Sequence, residues 1–356
     1  MMGGTETQLL ALIRNLDRSL IQPYLALLDG EEEASRALEP AGCPVTRLGV
    51  KRLLCLGSLG KLLAFCRFLR RERIDVLQVY FPDSTYFGTL AGRLAGVRSI
   101  LRTRNNINHW MTATHRLLGQ ILNRWVTVTV CNCEAAREAI LADERPDPDS
   151  VVVIENGVDI ERFAHISPVS PKRDRSRPRR VGMVANLRPV KGVDLFIQAA
   201  AIVAAKAPDV TFHVAGEGPQ RPELQDSIKG LGLVDRLQLH GRVDDIPMFL
   251  AELDVAVLSS RAEGMPNALL EYMAAGRPIV AANVGGVPSV ASQGVHAWLV
   301  TPESPELLAE ALSGLLDNPR RAAELAAAGR EHVQSRFSRA ASVGRFERLF
   351  RDVSSA

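Results

Sequence analysis

Short β-branched or apolar runs alternate with longer helical patterns along almost the whole chain, and a chain written this way folds as βα units feeding parallel sheets. The first half offers strands at Pro23 to Leu28, Val45 to Leu48, Asp75 to Tyr80, Ser99 to Thr103 and Val126 to Cys131, with helices such as Ser58 to Arg71 and Ser84 to Ala95 between them. The second half repeats the rhythm, with strands near Arg180 to Ala185, Val210 to Ala215, Leu237 to His240, Val255 to Leu258, Ile279 to Ala281 and Trp298 to Val300. Three helical patterns, about Pro305 to Asp317, Pro319 to Phe337 and Ser338 to Val353, end the chain, the last suited to cover a sheet face. The expectation is α/β, with two doubly wound, Rossmann-like halves. At 356 residues the chain also exceeds the usual reach of one core. A cleft between two such domains is the natural place for a site.

The segment Ser167 to Arg180, rich in Pro, Ser and Arg, cannot bury apolar surface and reads as the linker. The expected division is 1–166, an N-terminal acceptor-binding domain; 167–180, the linker; 181–336, a C-terminal nucleotide-sugar domain; and 337–356, a last helix packing back on the first domain. Nothing in Met1 to Gln8 reads as a signal peptide, so the expected compartment is cytoplasmic. Leu53 to Leu69 is broken by Lys61, Arg67 and glycines and falls short of the roughly 20 apolar residues of a membrane span. Its amphipathic part, Ser58 to Arg71, reads either as a core helix or as a peripheral membrane contact. A net charge of +3 gives no reason to expect nucleic acid. Five scattered cysteines, with Cys131 and Cys133 one residue apart, fit no zinc or redox pair and read as reduced thiols.

The densest chemical signal is Ser259 to Gly276, SSRAEGMPNALLEYMAAG, after the strand Val255 to Leu258. Pro266 stands where a helix begins and Gly276 where it stops. That places a helix N-terminus at the carboxyl edge of the sheet, with the amides of Asn267, Ala268 and Leu269 suited to a phosphate or sugar hydroxyls. Glu263 in the loop and Glu271 on the helix are acceptors for hydroxyl groups of a sugar or ribose.

Val181 to Gly192, VGMVANLRPVKG, is a strand entering a turn that carries Arg188 and Lys191, fixed cations able to stabilise a departing diphosphate. Val214 to Pro219, VAGEGP, puts Gly216 and Gly218 directly after another strand, where backbone can approach a ligand closely. It lacks the third glycine of a dinucleotide fingerprint, and no Walker pattern occurs. At the start, Gly3-Gly4-Thr5-Glu6 precedes a helix for which Thr5 and Gln8 form a candidate capping box. Arg102 to Trp110, RTRNNINHW, gathers Arg104, Asn105 and His109 after a strand as a candidate acceptor or sugar site.

On these residues the chain resembles the retaining glycosyltransferases of family 4, which have the GT-B architecture of two Rossmann-like domains facing a cleft. Glu263 to Glu271 matches the family's E-x7-E element, Val181 to Gly192 its strand and RLxPxKG turn, and Gly216 to Pro219 its GxGP. Asn156 to Asp159 matches NGVD, Gly285 to Pro288 GGxP, and Gly3 to Glu6 the opening GGxE. The resemblance implies transfer of a sugar, from a UDP- or GDP-sugar, to a saccharide, lipid-linked or small-molecule acceptor in envelope or exopolysaccharide synthesis. It implies that Glu271 binds the donor ribose, Glu263 the transferred sugar, and Lys191 with Arg188 the diphosphate, while amides of Gly264, Met265, Asn267 and Ala268 support sugar and phosphates. His109 is a further catalytic candidate. Gly216, Gly218 and Asn186 join the donor site, and Gly3, Gly4, Arg104 and Asn105 an acceptor or phosphate loop. Front-face attack with retention, no metal and no cofactor are the expectations.

The chain departs from the pattern at Asn186, where the family usually has Arg, at Ser289, and at His296-Ala297. The family also has a central strand before its GGxE loop, here two residues from Met1. Without it the neighbouring strands are expected to be left unpaired, so the resemblance implies either a start upstream or an impaired form. A non-catalytic nucleotide-sugar-binding or assembly protein and a nucleotide-sugar epimerase of the same fold are the alternative readings.

Overall fold

The computed structural model describes residues 3–29, 36, 38–53, 55–105, 107, 111–172 and 176–355. They form two compact units between which the chain crosses twice. Residues up to 155 and from 340 onward make one unit, and residues 156–339 the other. The division thus falls before the basic segment at Ser167 to Arg180. Residues 156–166 and that segment lie in the C-terminal unit because arginines of that unit hold them. Arg330 donates to the carbonyls of Ile166 and Phe163 at 3.0 and 3.2 Å, Arg277 to Ser167 at 2.6 Å, and Arg177 forks onto Asp254.

The N-terminal unit runs α1 (Gly4–Asn15), β1 (Leu25–Leu27), β2 (Val45–Arg47), α2 (Leu56–Arg71), β3 (Val76–Val79), α3 (Pro82–Ala95), β4 (Ser99–Arg104), α4 (Ala113–Leu122), β5 (Val128–Cys131), α5 (Glu134–Glu144) and β6 (Val151–Val153). The C-terminal unit follows with β7 (Arg179–Val184), α6 (Val193–Lys206), β8 (Val210–Ala215), α7 (Arg221–Gly230), β9 (Leu237–Gly241), α8 (Ile246–Ala251), β10 (Val255–Leu258), α9 (Asn267–Ala274), β11 (Ile279–Ala282), α10 (Val287–Val290), β12 (Trp298–Val300), α11 (Pro305–Asp317) and α12 (Pro319–Arg336). The last helix, α13 (Arg339–Ser355), returns to the N-terminal unit.

Alternation along the strands sorts the helices of the N-terminal unit into two layers. Leu101 and Val130 pack with Val353, Phe346 and Phe350 of α13, and the same two phenylalanines meet Leu12 of α1. The opposite parity, Leu77, Ile100, Arg102 and Thr129, faces α2 to α5. The sheet itself is divided. β1 and β2 pair only with each other, while β3, β4, β5 and β6 form a second parallel sheet, so among the described residues no strand lies between β1 and β3. Both sheets lean on one apolar cluster, in which Leu28, Leu48 and Leu77 meet Phe65, Leu69 and Phe87. The missing pairing is the one the family resemblance implied.

The expected capping box at Thr5 is absent. The helix starts two residues earlier, at Gly4 with Gly3 as the cap, and glycine has no side chain with which to close such a box. Strand β6 is not among the expected strands.

The C-terminal sheet has the order β12-β11-β10-β7-β8-β9 and every pair is parallel. β10 and β11 are apolar throughout and buried at each residue, because helices cover both faces. Phe196 of α6 stands edge-on to Phe212 of β8, ring centres 6.1 Å apart, inside the largest core.

Candidate active site

The winding of the C-terminal sheet reverses between β7 and β10, and in such sheets ligands sit beyond the carboxyl ends of the strands at that point. The loops there touch through backbone that tolerates no side chain. A Cβ on Gly192 would overlap the Ser259 carbonyl, and one on Gly285 that of Glu263, and both glycines have positive φ, +60° and +49°. Gly216 and Gly218 lie against the carbonyls of Ala185 and Leu187, so the close approach they permit is to the β7 loop of the same chain.

Side chains tie the same loops. Arg261 forks onto Asp194 at 2.9 and 2.7 Å, and its amide donates to Val190 at 2.8 Å, which seats the Lys191 turn against the Glu263 loop. The Val184 amide donates to the buried Tyr272 hydroxyl at 2.7 Å, fixing α9 to the end of β7. Lys191 and Glu263 meet as a result. Their Nζ to Oε1 distance is 2.6 Å, and Ser260 Oγ donates to the same carboxylate oxygen at 2.6 Å. Glu263 is 8% exposed and Lys191 28%, so the pair lies at the boundary between core and solvent.

Helix α9 begins at Asn267 after Pro266 and ends before Gly276, which has φ +61°. Of the three amides expected to face a ligand, Leu269 already donates to the Pro266 carbonyl at 3.1 Å. Asn267 receives the Asn156 side-chain amide at 2.8 Å, and the Asn156 backbone amide points at the Met265 sulfur at 3.1 Å. The NGVD segment thereby buttresses the E-x7-E loop. Asp159 of that segment pairs with Arg339 at 2.9 Å. Glu271 has its carboxyl pushed up to about 7 by burial, which outweighs the opposing pull of Arg162 and Arg339.

Arg188 is exposed at the edge of the turn, and Asn186 is half-buried beside it. Gly264 and Met265 are buried, Ala268 half-buried. The sheet edge therefore offers a lysine cation and a helix N-terminus, the electropositive end, together with two carboxylates. That combination can neutralise phosphate and accept hydrogen bonds from hydroxyls.

In the N-terminal unit Asn105 Nδ2 reaches Thr5 Oγ1 at 3.3 Å, which brings Asn105 to the first turn of α1 beside Gly3 and Gly4. Arg104 is engaged elsewhere, in a buried network in which Glu144 binds both Arg104 and Arg102, the latter at 2.6 Å, and Arg102 also reaches Asn123 and Thr129. His109 lies outside the described residues. Tyr272, Asn156, Ser260 and the Arg261–Asp194 fork were missed as site-forming residues. Each sits inside or beside a motif, but its partner is a separate loop.

Two family models match the chain, the Glycosyl transferase 4-like domain over residues 3–157 and Glycosyl transferases group 1 over residues 178–318. A D-inositol 3-phosphate glycosyltransferase of Thermobispora bispora is 30% identical over 309 residues, 79% of this chain and 71% of that protein. The UDP-Gal:alpha-D-GlcNAc-diphosphoundecaprenol alpha-1,3-galactosyltransferase of Escherichia coli is 28% identical over 256 residues, 66% of this chain and 65% of that enzyme, just under two thirds of its length. Among solved structures, HepE of Anabaena in complex with UDP shares the fold with a TM-score of 0.84 at 22% identity, covering 98% of this chain and 96% of that one. The sucrose-phosphate synthase of Thermosynechococcus elongatus does so with a TM-score of 0.82 at 19% identity, covering 99% and 94%. Two consecutive family matches, and a relative 30% identical along most of its own length, make this chain a glycosyltransferase of group 1, family 4, with the GT-B fold.

Proposed function

We propose that the protein transfers a sugar, with retention and without a metal, from a UDP- or GDP-sugar to a saccharide, lipid-linked or small-molecule acceptor in envelope or exopolysaccharide synthesis. The observation that carries the reading is the meeting of Lys191 and Glu263 at the carboxyl edge of the sheet, beside the N-terminus of α9. In this reading Lys191 and Arg188 stabilise the diphosphate as the glycosidic bond to phosphate breaks. Glu263 orients the sugar, Glu271 takes the ribose hydroxyls, and the leaving phosphate oxygen accepts the proton of the acceptor hydroxyl as the new bond forms on the same face. The names of the relatives support both nucleotide sugars and lipid-linked or small acceptors. One is a UDP-Gal transferase acting on a diphosphoundecaprenol-linked sugar, another a 2-deoxystreptamine glucosyltransferase. A cytoplasmic place at the inner membrane face fits the first of these. Among the described residues no helix is long and apolar enough to cross a membrane.

The test is release of nucleoside diphosphate from a panel of UDP-, GDP- and ADP-sugars with and without EDTA, with Glu263→Ala and Lys191→Ala as controls. Donor-specific turnover that survives EDTA and collapses in both variants is the expected result. Donor binding without turnover in the presence of a broad acceptor panel, or turnover abolished by EDTA, would overturn the proposal.

A further inference from the structure

Strand β3 carries Leu77 and Val79 toward α3, which lies so close that a Cβ on Gly92 or Gly88 would strike them. Alternation assigns Phe81, two residues on, to that covered face. The backbone turns it away. Phe81 has φ +64° and ψ 156°, a region that glycine enters freely and an L side chain scarcely at all, and its ring stands 45% exposed. All eleven phenylalanines of the chain lie among the described residues, and the other ten are buried or half-buried.

The residues on either side hold this conformation. Thr85, buried in α3, donates its amide at 2.9 Å and its hydroxyl at 2.7 Å to the Phe81 carbonyl. Tyr80 is fixed by a hydrogen bond with Thr103. A glycine at position 81 would turn the same corner without strain, and a polar side chain would suit the exposure better. Phe81 therefore costs the fold on two counts, and strain that the surroundings maintain marks a place of use.

The register locates that use. Val79 pairs with Arg102 and Arg104 with Cys131, so Phe81 comes level with Arg104 at the carboxyl edge of the sheet β3-β4-β5-β6, the edge at which parallel sheets take their ligands. Asn105 follows there and meets Thr5 of α1, beside Gly3 and Gly4. We propose that Phe81 is the platform on which a pyranose ring of the acceptor stacks, an assignment that rests on the reading of the protein as passing its sugar to a glycoside. A pyranose has a face of C–H groups and a rim of hydroxyls. The phenyl ring covers the first, and the half-buried amide of Asn105 and hydroxyl of Thr5 suit the second. Neighbouring strands lie about 4.8 Å apart, so Phe81 and Asn105 end adjacent strands at roughly the width of one sugar ring. An acyclic polyol or a free phosphate has no such C–H face and gains nothing from the ring. Phe81 thus selects a pyranoside, free or lipid-linked, as the acceptor class.

Full-length protein saturated with UDP is titrated with the methyl pyranosides of glucose, galactose, mannose and N-acetylglucosamine, and with sorbitol and inorganic phosphate, and binding is read by saturation-transfer NMR and calorimetry. At least one pyranoside should bind, with saturation entering through the C–H protons of one ring face, and neither sorbitol nor phosphate should match it. Phe81→Ala should weaken that binding about tenfold, Phe81→Trp should bind at least as tightly as the parent, and UDP affinity should be the same in all. Phe81→Gly separates use from structure. It should lose pyranoside affinity as the alanine variant does, yet unfold at a temperature about 2 to 4 °C higher as the strain is released. Pyranoside binding that is equal in parent, alanine and glycine variants, or absent from a protein that binds UDP, would overturn this proposal and leave the donor reading standing. A glycine variant less stable than the parent would also overturn it, by making the ring a structural element. Failure of the parent to bind UDP would overturn the donor reading itself, and this assignment with it.

Discussion

Lys191 Nζ lies 2.6 Å from Glu263 Oε1, an ion pair between two loops 72 residues apart in the chain. Each partner holds the other in place before any ligand arrives. We expect Lys191→Ala and Glu263→Ala each to lower kcat/KM by about 10²- to 10³-fold. Residues in contact that act as a unit are not additive, so the double variant should fall well short of the product of the two losses. Steady-state kinetics on the four proteins of the cycle measures the coupling, and full additivity would show that the pair does not act together.

Gly285→Ala should damage the same site from behind. Its new Cβ would meet the Glu263 carbonyl, a backbone atom with little room to yield, at a residue whose φ is +49°. Turnover should drop at least tenfold, about 1.4 kcal/mol in barrier height, while the circular dichroism spectrum is retained. Parent-like kinetics would mean that the Glu263 loop is not held by this contact.

In the donor site proposed above, Glu271 introduces a pH dependence near neutrality. Its carboxyl, pushed up to about 7 by burial, is protonated in the folded protein across a range where the unfolded chain would have ionised it. The stability this adds is full below the ordinary carboxylate range and is lost as pH rises through about 7. Affinity for UDP should move the other way, strengthening from pH 6 to 8 as the carboxylate proposed to accept the ribose hydroxyls forms. Glu271→Gln should flatten both profiles, read by thermal unfolding and by calorimetric titration.

His213 works with the opposite sign. Its ring lies 3.0 Å from His240 and 2.9 Å from Thr211, and burial, helped by Arg180 and by His240, holds it down to about 4. His240 is lowered too, by burial and Arg180 against the pull of Glu252, and Arg180 itself pairs with Glu252 at 2.9 Å. Both rings are therefore neutral in the fold where the unfolded chain would protonate them. Stability should fall as pH drops from about 6.5 toward 4. A His213→Asn variant should show a shallower decline in urea midpoint over that interval, and an unchanged slope would assign the acid sensitivity elsewhere.

Glu144→Ala should unfold the N-terminal unit most readily. Removing this one carboxylate strands Arg102, fully buried, and Arg104 without their common partner, at a cost of about 3 to 5 kcal/mol. Gly119→Ala should act on the same network, because the added methyl would occupy the place of the Glu144 carboxylate. Denaturant unfolding of both variants checks this.

Much of this fold could be read along the chain, because the signals are local. The run Val255 to Leu258 and the sequence Pro266 to Gly276 mark a strand, a loop and a helix by an apolar run, proline and glycine alone, and the structure puts β10 and α9 there. What could not be read is pairing. Nothing near Tyr272 says that its hydroxyl will receive the Val184 amide, nor does anything near Asn156 announce Asn267. Gly216 and Gly218 show the same limit from the other side. Their sequence says that something approaches closely, and only the fold says that it is Ala185 and Leu187 of the same chain. Composition likewise cannot register that Arg277 and Arg330 grip the carbonyls of Phe163, Ile166 and Ser167 just before and at the start of the basic segment.

The return of α13 to the N-terminal unit orders events during synthesis. Ser99 Oγ donates to the Val353 carbonyl at 2.7 Å, and the Asp17 amide to Glu347 at 2.8 Å, so residues made earlier await residues made more than 250 positions later. Leu101 and Val130 have no cover until that helix emerges from the ribosome. The N-terminal unit is thus completed only after residues 156–339 have been made, and for that interval the nascent protein carries one bare sheet face that chaperones would have reason to hold.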